Sequence, residues 1–506
     1  MTGMVRLVES LSKGYMTAQI LTILMLYAMG LLFVFAFSGD QDDGSIQAWT
    51  IWKILTAFPS GLALYSVSAY LLLCTGIPYN TYSAVAVIAA VSVISVCVIW
   101  KKNKLVYINS DKSCRVILIL SLVFGILVAI MSTANLFDVV LDNDSFFYFS
   151  AYPEAIVQEG AYIRYFDVFL TDAAPVGSLI QTIPYIFGFS ETFGIQYFTD
   201  VNFILIFAYA VYRELIKSVS GKEALGISFV SVLFLLSSSA YLITAKWVMA
   251  GVYFMFYYFL TAYAGYSFSF MAGKPYALLA LFAAVTSMMR HEGVILLIIL
   301  IAALSFLRGY TGRELCFSMI CPALLMAGLY YIRVFLILDV HPLYAFLTEG
   351  KALIMTGALV FSGVYMLFVR DRLGERVSTV LPVLLPAFLV LVNIALVAVR
   401  TEAYLGNLKM FYLNIRIGAG WGYFGYIAGA IVLILVIKAV MNREWYLGFF
   451  DSLMISYVLG VLLVAFGRGD ALRKGVGDSG NRVMLTAVPL IIFALVLRFF
   501  PPREEM

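Results

Sequence analysis

Charged residues are scarce in this chain. Only 12% of its 506 residues are Asp, Glu, Lys or Arg, and 63% are hydrophobic. A soluble domain is about a quarter charged, so these few charges cannot cover the surface of a soluble protein of this length. Dense runs of Lys and Arg are also missing and the net charge is only +4, which excludes a nucleic-acid-binding surface. The composition therefore predicts a polytopic membrane protein.

Cysteines and long polar segments are rare as well. The five cysteines show no CxxC or other metal-ligand spacing, so we expect neither a disulfide framework nor a zinc site. No polar stretch reaches the roughly 50 residues of a small soluble domain. The first apolar stretch, 16–37, is too long for a signal-peptide core and lacks a small-residue cleavage site, so we expect a retained transmembrane helix.

Long apolar stretches dominate the rest of the chain. About 20 apolar residues cross a bilayer as a helix, and a continuous apolar run has no other spanning structure available. The stretches are 16–37, 60–77, 81–100, 116–136, 197–212, 224–243, 248–270, 277–307, 314–335, 352–369, 378–399, 420–440, 446–466 and 483–499. They predict an all-α polytopic membrane protein of about 12–15 transmembrane helices.

Basic loops predict the orientation. The loop 101–115 is the most basic in the chain and should be cytoplasmic. The stretch 116–136 then leads to residues 137–196, a loop rich in Asp and Glu and without Lys, on the outside. The acidic loop 39–43 also looks external, which requires either an N-terminus on the outside or an extra or re-entrant helix at Trp49–Phe58.

The stretch 277–307 is too long for one crossing and short for two. Its middle, residues 289–293, reads MRHEG, and both flanks are basic. We therefore expect a helical hairpin whose outer tip, Arg290, His291 and Glu292, lies below the membrane surface. Ionisable groups at such a depth are candidates for a functional site. The alternative is that Arg290 and Glu292 pair with each other or extend to the interface.

The apolar stretch Pro175–Phe189 contains Pro184 and is not expected to cross the membrane. We expect it to lie along the membrane surface, so that the first large external loop, 137–196, holds short juxtamembrane helices.

Two carboxylates, Asp142 and Asp144, follow the stretch 116–136 and precede the aromatic run 146–149. Such a pair serves as a general base, as metal ligands or only as a helix cap. The aromatic neighbours would hold a carboxylate at an apolar boundary, where desolvation increases its basicity. This favours a catalytic role.

Ten cations fall in the predicted external loops, contrary to the positive-inside rule. They are Lys246, Arg290, Lys351, Arg400, Lys409, Arg416, Arg468, Arg473, Lys474 and Arg482. A bound anion would explain them, since the guanidinium group matches phosphate oxygens. Ion pairs with the acidic loop are the competing explanation. Both histidines, His291 and His341, fall on the same face.

These features resemble the GT-C superfamily of integral-membrane glycosyltransferases. The resemblance covers roughly residues 116–499 and is carried by short motifs in a shared order. They are the acidic motif before Tyr148, Ala174-Pro175 opening a helix, the Arg290-His291-Glu292-Gly293 turn, Tyr330-Tyr331 through His341 to Lys351, and Asn481-Arg482 before the last span. The chain departs from the family in its Asp-Asn-Asp spacing and in the roughly three spans before this loop.

The resemblance implies an enzyme that moves a hexosyl or pentosyl group, with inversion, from a polyprenyl-phosphate donor to an extracytoplasmic glycan, lipid or protein. It implies Asp144 as the general base, with Asp142 as the alternative. The implied ligands of the donor phosphate are Arg290, His291, Lys351 and Arg482. The further site candidates are Glu292, Tyr148, Arg164 and His341. It requires no cofactor; a divalent metal is compatible with the reaction but not indicated.

The resemblance also divides the chain. Residues 1–115 would be accessory helices that dock a membrane-protein partner or brace the core. Residues 116–310 would be the catalytic core, and residues 311–506 would complete the site from the C-terminal helices. The expected location is the plasma membrane, with the active site on the extracytoplasmic face.

Two other classes of protein use lipid-linked saccharides. A flippase or transporter needs polar residues along a path at mid-membrane, whereas the apolar stretches here read as almost uniformly apolar. A polymerase or ligase of envelope saccharides would have a long external loop late in the chain, whereas the longest loop here, 137–196, is early. Both comparisons favour a glycosyltransferase.

Overall fold

The structure is a computed structural model. It describes residues 15–38, 46–101, 147–162, 167–189, 193–245, 249–271, 273–341, 347–373, 375–416, 420–442, 447–467 and 479–501. All regular structure in this part of the chain is helical.

The chain begins with three long helices and continues with short ones. The long helices are α1 (Tyr15–Phe37), α2 (Ile46–Thr75) and α3 (Thr81–Lys101). After a π-helical turn at Phe147–Ala151 come α4 (Tyr152–Glu159), α5 (Asp167–Asp172), α6 (Pro175–Ile180) and α7 (Ile183–Phe187).

The remaining helices form most of the bundle. They are α8 (Phe193–Leu215), α9 (Gly221–Leu236), α10 (Ser239–Ala245), α11 (Ala250–Ser269), α12 (Tyr276–Met289), α13 (Gly293–Leu304), α14 (Gly312–Ile337), α15 (Glu349–Phe368), α16 (Glu375–Val399), α17 (Thr401–Arg416), α18 (Tyr423–Asn442), α19 (Phe449–Gly467), α20 (Ser479–Met484) and α21 (Ala487–Phe499).

Within the described residues, nine helices are long and apolar enough to cross a membrane, or ten if the bent pair α9 and α10 forms one span. The chain is thus an all-α, multi-pass membrane protein, as its composition predicts. The number is lower than the 12–15 expected. The stretch 116–136 lies outside the described residues, and the five tyrosines of α11 lower its hydropathy.

Helix α11 is the centre of the bundle. All 20 of its residues are buried, so its tyrosines are shielded from lipid by other helices. A buried tyrosine hydroxyl needs a partner. Tyr257 donates to the carbonyl of Pro59 at 2.8 Å, and Tyr258 donates to that of Leu296 at 3.0 Å. These bonds connect α11 to α2 and to α13.

Helix α2 runs continuously through Pro59, so the structure does not show the extra or re-entrant helix at Trp49–Phe58 that was one of the two alternatives. Proline lacks an N–H and leaves the carbonyl four residues earlier without its helical donor. That carbonyl belongs to Leu55 and accepts instead from Nδ2 of Asn202 in α8, at 3.2 Å. A neighbouring helix thereby satisfies the interrupted backbone, which is how membrane helices tolerate proline.

Helices α1 and α2 pack as an antiparallel pair at two glycines. A Cβ added at Gly30 would lie 1.8 Å from the Ala57 oxygen, and one added at Gly61 would lie 1.8 Å from the Leu26 oxygen. Only glycine permits backbones to approach this closely in a membrane bundle. The C-terminal end of α1 and the N-terminal end of α2, which flank residues 39–45, therefore lie at the same end of the bundle.

The bundle has two distinguishable ends. The turn between α2 and α3 lies at one of them, which we call the site end, where the Tyr79 N–H donates to the Gly160 carbonyl at 2.9 Å. Lys101 and the described flanks of the acidic loop 39–43 lie at the other, which we call the basic end. The loop itself lies outside the described residues. The expectation that this loop is external therefore stays a prediction.

The stretch Pro175–Phe189 forms two short helices, α6 and α7, and does not cross the membrane. All six residues of α6 are buried among α2, α11 and α12, so the bundle encloses this helix. A helix that is apolar on all sides has no face to present to water and is therefore enclosed.

Candidate functional site

The predicted hairpin is present, and the turn between α12 and α13 places Arg290, His291 and Glu292 at the site end. The Gly293 N–H closes the turn by donating to the Arg290 carbonyl at 2.9 Å. A Cβ at Gly293 would lie 2.4 Å from the Thr286 oxygen, so this position requires glycine. The local sequence thus forces a tight turn that projects three ionisable side chains together.

These side chains are buried. His291 is 2% exposed and Glu292 is 4% exposed. The Arg290 guanidinium lies 3.3 Å from the Glu292 carboxylate, so the pairing of these two residues is observed. One contact uses one of the five N–H donors of a guanidinium group.

Helix α6 of the first loop lies directly against the hairpin. A Cβ added at Gly177 would lie 2.8 Å from the Ala250 Cβ, 3.1 Å from the Met289 oxygen and 3.4 Å from a ring carbon of Phe149. Glycine therefore permits the contact between α6, α11 and the residue before Arg290. Sequence reasoning missed Gly177, although an isolated glycine inside a short apolar helix signals a close backbone approach.

Arg482 reaches the same place from α20. Its side chain is buried, and Nη1 lies 2.8 Å from the sulfur of Met249. Met249 packs with Phe149 and Ala250, and Tyr148 packs against this group. The π-helical turn Phe147–Ala151 and the C-terminal helices thus meet at Met249.

Tyr457 connects the two arginines. Its hydroxyl donates to the carbonyl of Val483, the residue after Arg482, at 2.7 Å, and its side chain lies close to Arg290 and Glu292. We name the residues Arg290, His291, Glu292 and Arg482 the arginine cluster. It has two guanidinium groups and one carboxylate, and it therefore suits an anionic ligand. The apolar run around Tyr457 gave no sequence signal for this position.

Two predicted residues lie elsewhere at the site end. His341 is exposed, and its two ring nitrogens hydrogen-bond to Asp339, at 2.7 Å, and to Glu349. Lys351 lies in the first turn of α15, where its N–H donates to the Thr348 hydroxyl at 3.4 Å.

Tyr330 connects the α14–α15 region to the arginine cluster. Its ring lies 6.1 Å from that of His291, and its hydroxyl donates to the Leu170 carbonyl in α5 at 2.6 Å. The Leu347 N–H, just before α15, donates to the Thr171 carbonyl at 2.9 Å. Lys351 is therefore held near the first loop through α5.

Helix α17 adds further cations at this end. Arg400 precedes it, Lys409 lies within it and Arg416 ends it, and Nδ2 of its Asn414 donates to Oδ1 of Asn481 at 2.8 Å. Asn481 is the neighbour of Arg482. Those predicted external cations that lie within the described residues are therefore all at the site end of the bundle.

Several predicted residues lie outside the described residues. They are Asp142, Asp144, Arg164, Lys246, Arg468, Arg473 and Lys474. Within the described ranges, no group of three or more His, Cys, Asp or Glu residues is arranged to hold a metal ion.

Asp200 is a buried carboxylate that sequence reasoning overlooked. It lies inside α8, within a stretch that reads as apolar, and is 6% exposed. The signal was available, because an ionisable residue inside a membrane span marks a candidate functional site. The prediction of almost uniformly apolar spans is thus wrong for α8.

Comparison with known proteins does not add a family to this description. The chain matches no family model, no curated protein and no solved structure.

Proposed function

We propose that the protein is a glycosyltransferase of the GT-C type. It would move a hexosyl or pentosyl group from a polyprenyl-phosphate donor to a glycan, lipid or protein on the extracytoplasmic side of the plasma membrane. The observation that carries this proposal is the arginine cluster. It is buried at one end of a membrane bundle, where the short helix α6 meets the tip of the hairpin.

The arginine cluster would stabilise the leaving group. When the bond between C1 of the sugar and the phosphate oxygen breaks, negative charge grows on the lipid phosphate. Arg290 and Arg482 provide preorganised N–H donors in a water-poor site, where such donors are most effective. His291 and Lys351 are further candidates for binding the phosphate. The lipid tail would lie between helices, which explains a site at the membrane surface.

Asp144 is the proposed general base. It precedes Phe147 by three residues in the sequence, and the turn that begins at Phe147 packs through Phe149 against Gly177 of α6. Asp142, two residues earlier, is the alternative. The acceptor hydroxyl attacks C1 and its proton passes to the carboxylate. The C1–O bond breaks, and its electron pair leaves with the polyprenyl phosphate. Because the displacement at C1 is direct, it inverts the anomeric centre.

A transfer assay tests this function. The purified protein is incubated with polyprenyl phosphates carrying different sugars, and release of polyprenyl phosphate is followed. We expect release from at least one donor, and a loss of about 10²–10⁴-fold in Asp144→Asn. Full activity in Asp144→Asn with none in Asp142→Asn would move the base to Asp142. No release from any donor and acceptor mixture would refute the proposed function.

Labelling tests the orientation. A cysteine introduced at Ser145, in a variant without the five native cysteines, should react with an impermeant thiol reagent from outside. Reaction only after lysis would place the first large loop in the cytoplasm.

A flippase or transporter for lipid-linked saccharides is the alternative function, and Asp200 favours it, because transporters place ionisable groups inside the membrane. A transporter would move the donor across a vesicle membrane without releasing polyprenyl phosphate. The same donors, enclosed in proteoliposomes, therefore separate the two functions. A polymerase or ligase would instead transfer whole oligosaccharides.

A further inference from the structure

A second group of polar side chains lies beneath the arginine cluster. It comprises Gln181, Gln196, Asp200, Tyr241 and Tyr253, and we name it the Asp200 cluster. Asp200 lies close to Tyr241 and Tyr253, Gln196 precedes it by one turn of α8, and Tyr253 lies next to Gln181. Four elements, α6 with its C-terminal residue, α8, α10 and α11, thus bring their polar groups together inside the bundle.

The hydrogen-bonding groups of this cluster are not saturated. Both carboxylate oxygens of Asp200, both amide atoms of Gln181 and Gln196, and the hydroxyls of Tyr241 and Tyr253 are buried without a hydrogen bond of good geometry. Buried polar groups are nearly always hydrogen-bonded, and such an accumulation indicates a missing partner. None of the described Lys, Arg or His residues forms an ion pair with Asp200.

The position of the cluster relates it to the proposed active site. Tyr253 follows Met249 by four residues in α11, a rise of about 6 Å. Gln181 likewise follows Gly177 by four residues. Both polar residues therefore lie one turn deeper than the contacts that hold Arg482 and the hairpin. The Asp200 cluster therefore lies on the inner side of these contacts.

The chemistry of the cluster matches hydroxyl groups. Amides and phenols both donate and accept hydrogen bonds, and a carboxylate accepts from several donors. A hard metal cation would use only the oxygen acceptors and would leave the amide and phenol donors unused. A neutral group with several hydroxyls uses the donors and acceptors together.

We propose that the Asp200 cluster binds the sugar hydroxyls of the substrate, while the arginine cluster binds its phosphate. This inference rests on the proposed function and assigns the sugar subsite to α8, α10 and α11. Asp200 would accept from two hydroxyls, and Gln181 and Tyr253 would select their positions. A site built to hydrogen-bond a hydroxyl strongly rejects an analogue that lacks it, so these residues would determine the donor sugar.

A binding experiment tests the inference. Binding of polyprenyl phosphate, bare or carrying glucose, galactose or mannose, is measured for the purified protein in nanodiscs. We expect the preferred sugar to increase affinity over the bare lipid. Asp200→Asn should lower the affinity for that sugar lipid about tenfold and leave the affinity for bare polyprenyl phosphate unchanged. Gln181→Met, which keeps the side-chain volume, should act in the same direction.

Asn202→Ala is the matched control. Asn202 is also buried in α8, but its amide donates to the Leu55 carbonyl. Its loss should lower the unfolding temperature without changing the preference for sugar over bare lipid. If Asn202→Ala changed this preference as much as Asp200→Asn, a general loosening of α8 would explain both effects, and the sugar subsite would be wrong.

The remaining outcomes separate the two proposals. If the wild-type protein binds neither bare nor sugar-bearing lipid, the proposed function fails. If it binds both and Asp200→Asn leaves both affinities unchanged, only the sugar subsite fails. A further outcome concerns Lys246. If Lys246→Met lowers the affinity for the sugar lipid as much as Asp200→Asn does, and the variant with both substitutions is no worse than either one, then Asp200 pairs with Lys246. That result would also overturn the sugar subsite.

Discussion

The two ends of the bundle hold their charges in different ways. At the basic end, cations pair with carboxylates and carbonyls across the helix termini. Lys274 lies 3.2 Å from Glu314, and Arg370 lies 2.8 Å from Asp371 while it also donates to the Leu307 carbonyl at 2.8 Å. These contacts connect the ends of consecutive helices. Partly exposed pairs of this kind contribute little energy each and mainly fix the helix ends.

At the site end, the two arginines of the arginine cluster are largely buried, whereas Arg400, Lys409 and Arg416 are exposed. The Arg482 guanidinium is in contact with a methionine sulfur, and Arg290 shares one carboxylate with its own turn. Burying a charge is costly unless it gains compensating interactions. Under the proposed function, the contacts at the basic end stabilise the helix ends, whereas the arginines of the arginine cluster would bind the donor phosphate.

The largest effect is expected from Arg482. Arg482→Met keeps an apolar stem beside Met249 but removes the guanidinium that would stabilise the leaving phosphate. We expect the rate of transfer to fall about 10²–10³-fold with little change in unfolding temperature. Single-turnover release of polyprenyl phosphate measures the rate, and a thermal melt measures the stability.

Lys274→Met at the basic end is the control for Arg482→Met. It breaks the ion pair with Glu314 and should leave transfer nearly unchanged. Equal losses of activity in both variants would remove the distinction between the two ends.

The next effect concerns the contact between α6 and the hairpin. Gly177→Ala would place a Cβ 2.8 Å from that of Ala250 and 3.1 Å from the Met289 oxygen, so α6 must shift relative to α11 and to the residue before Arg290. Displacement of a positioned group by about 1 Å can cost about 10²-fold in rate. The measurement is kcat/KM for transfer.

Gly328→Ala in α14 is the matched substitution for Gly177→Ala, because an added Cβ there meets nothing within 4 Å. It should leave activity unchanged and, because alanine favours a helix over glycine, should not lower stability. An active Gly177→Ala variant would show that the turn does not depend on α6.

The sequence predicts the hairpin and its tip because two local features agree. The flanks of the stretch 277–307 are both basic, and its apolar run is interrupted in the middle by Arg290, His291 and Glu292. The sequence does not predict that α2 is continuous, because the amide that donates to the Leu55 carbonyl belongs to Asn202, more than a hundred residues later. The burial of α6 cannot be predicted from the sequence for the same reason, because its neighbours α2, α11 and α12 are distant in sequence. The pairing of Arg290 with Arg482 through Tyr457 depends on tertiary packing alone.

A smaller effect is expected at the basic end. Both oxygens of Asp371 accept from the Gly312 N–H, at 2.8 Å and 3.0 Å, at the start of α14. Asp371→Asn weakens this cap and its bond with Arg370, and should lower the free energy of unfolding by about 1 kcal/mol. Denaturant titration in detergent measures the loss. Transfer should be unaffected, and a loss of activity like that of Arg482→Met would contradict a purely structural role.

The smallest effect is a local titration at the site end. Hydrogen bonds with Asp339 and Glu349 raise the pKa of His341 above its usual 6.5, because both carboxylates favour the charged ring. The interaction therefore stabilises the fold fully below pH 6.5 and is lost as the pH rises through the raised pKa. The chain has two histidines, so ¹³C-labelled histidine gives two ring signals, and His341→Gln assigns them.

We expect the His341 signal to titrate with a midpoint above 6.5. Asp339→Asn and Glu349→Gln should each lower this midpoint, since each removes one of the two acceptors. The arginine cluster should not respond, because His341 bonds with these carboxylates rather than with Arg290. A midpoint that stays constant in both variants would show that the two bonds do not hold the charged ring. A shift that also altered donor binding would instead make His341 part of the phosphate site.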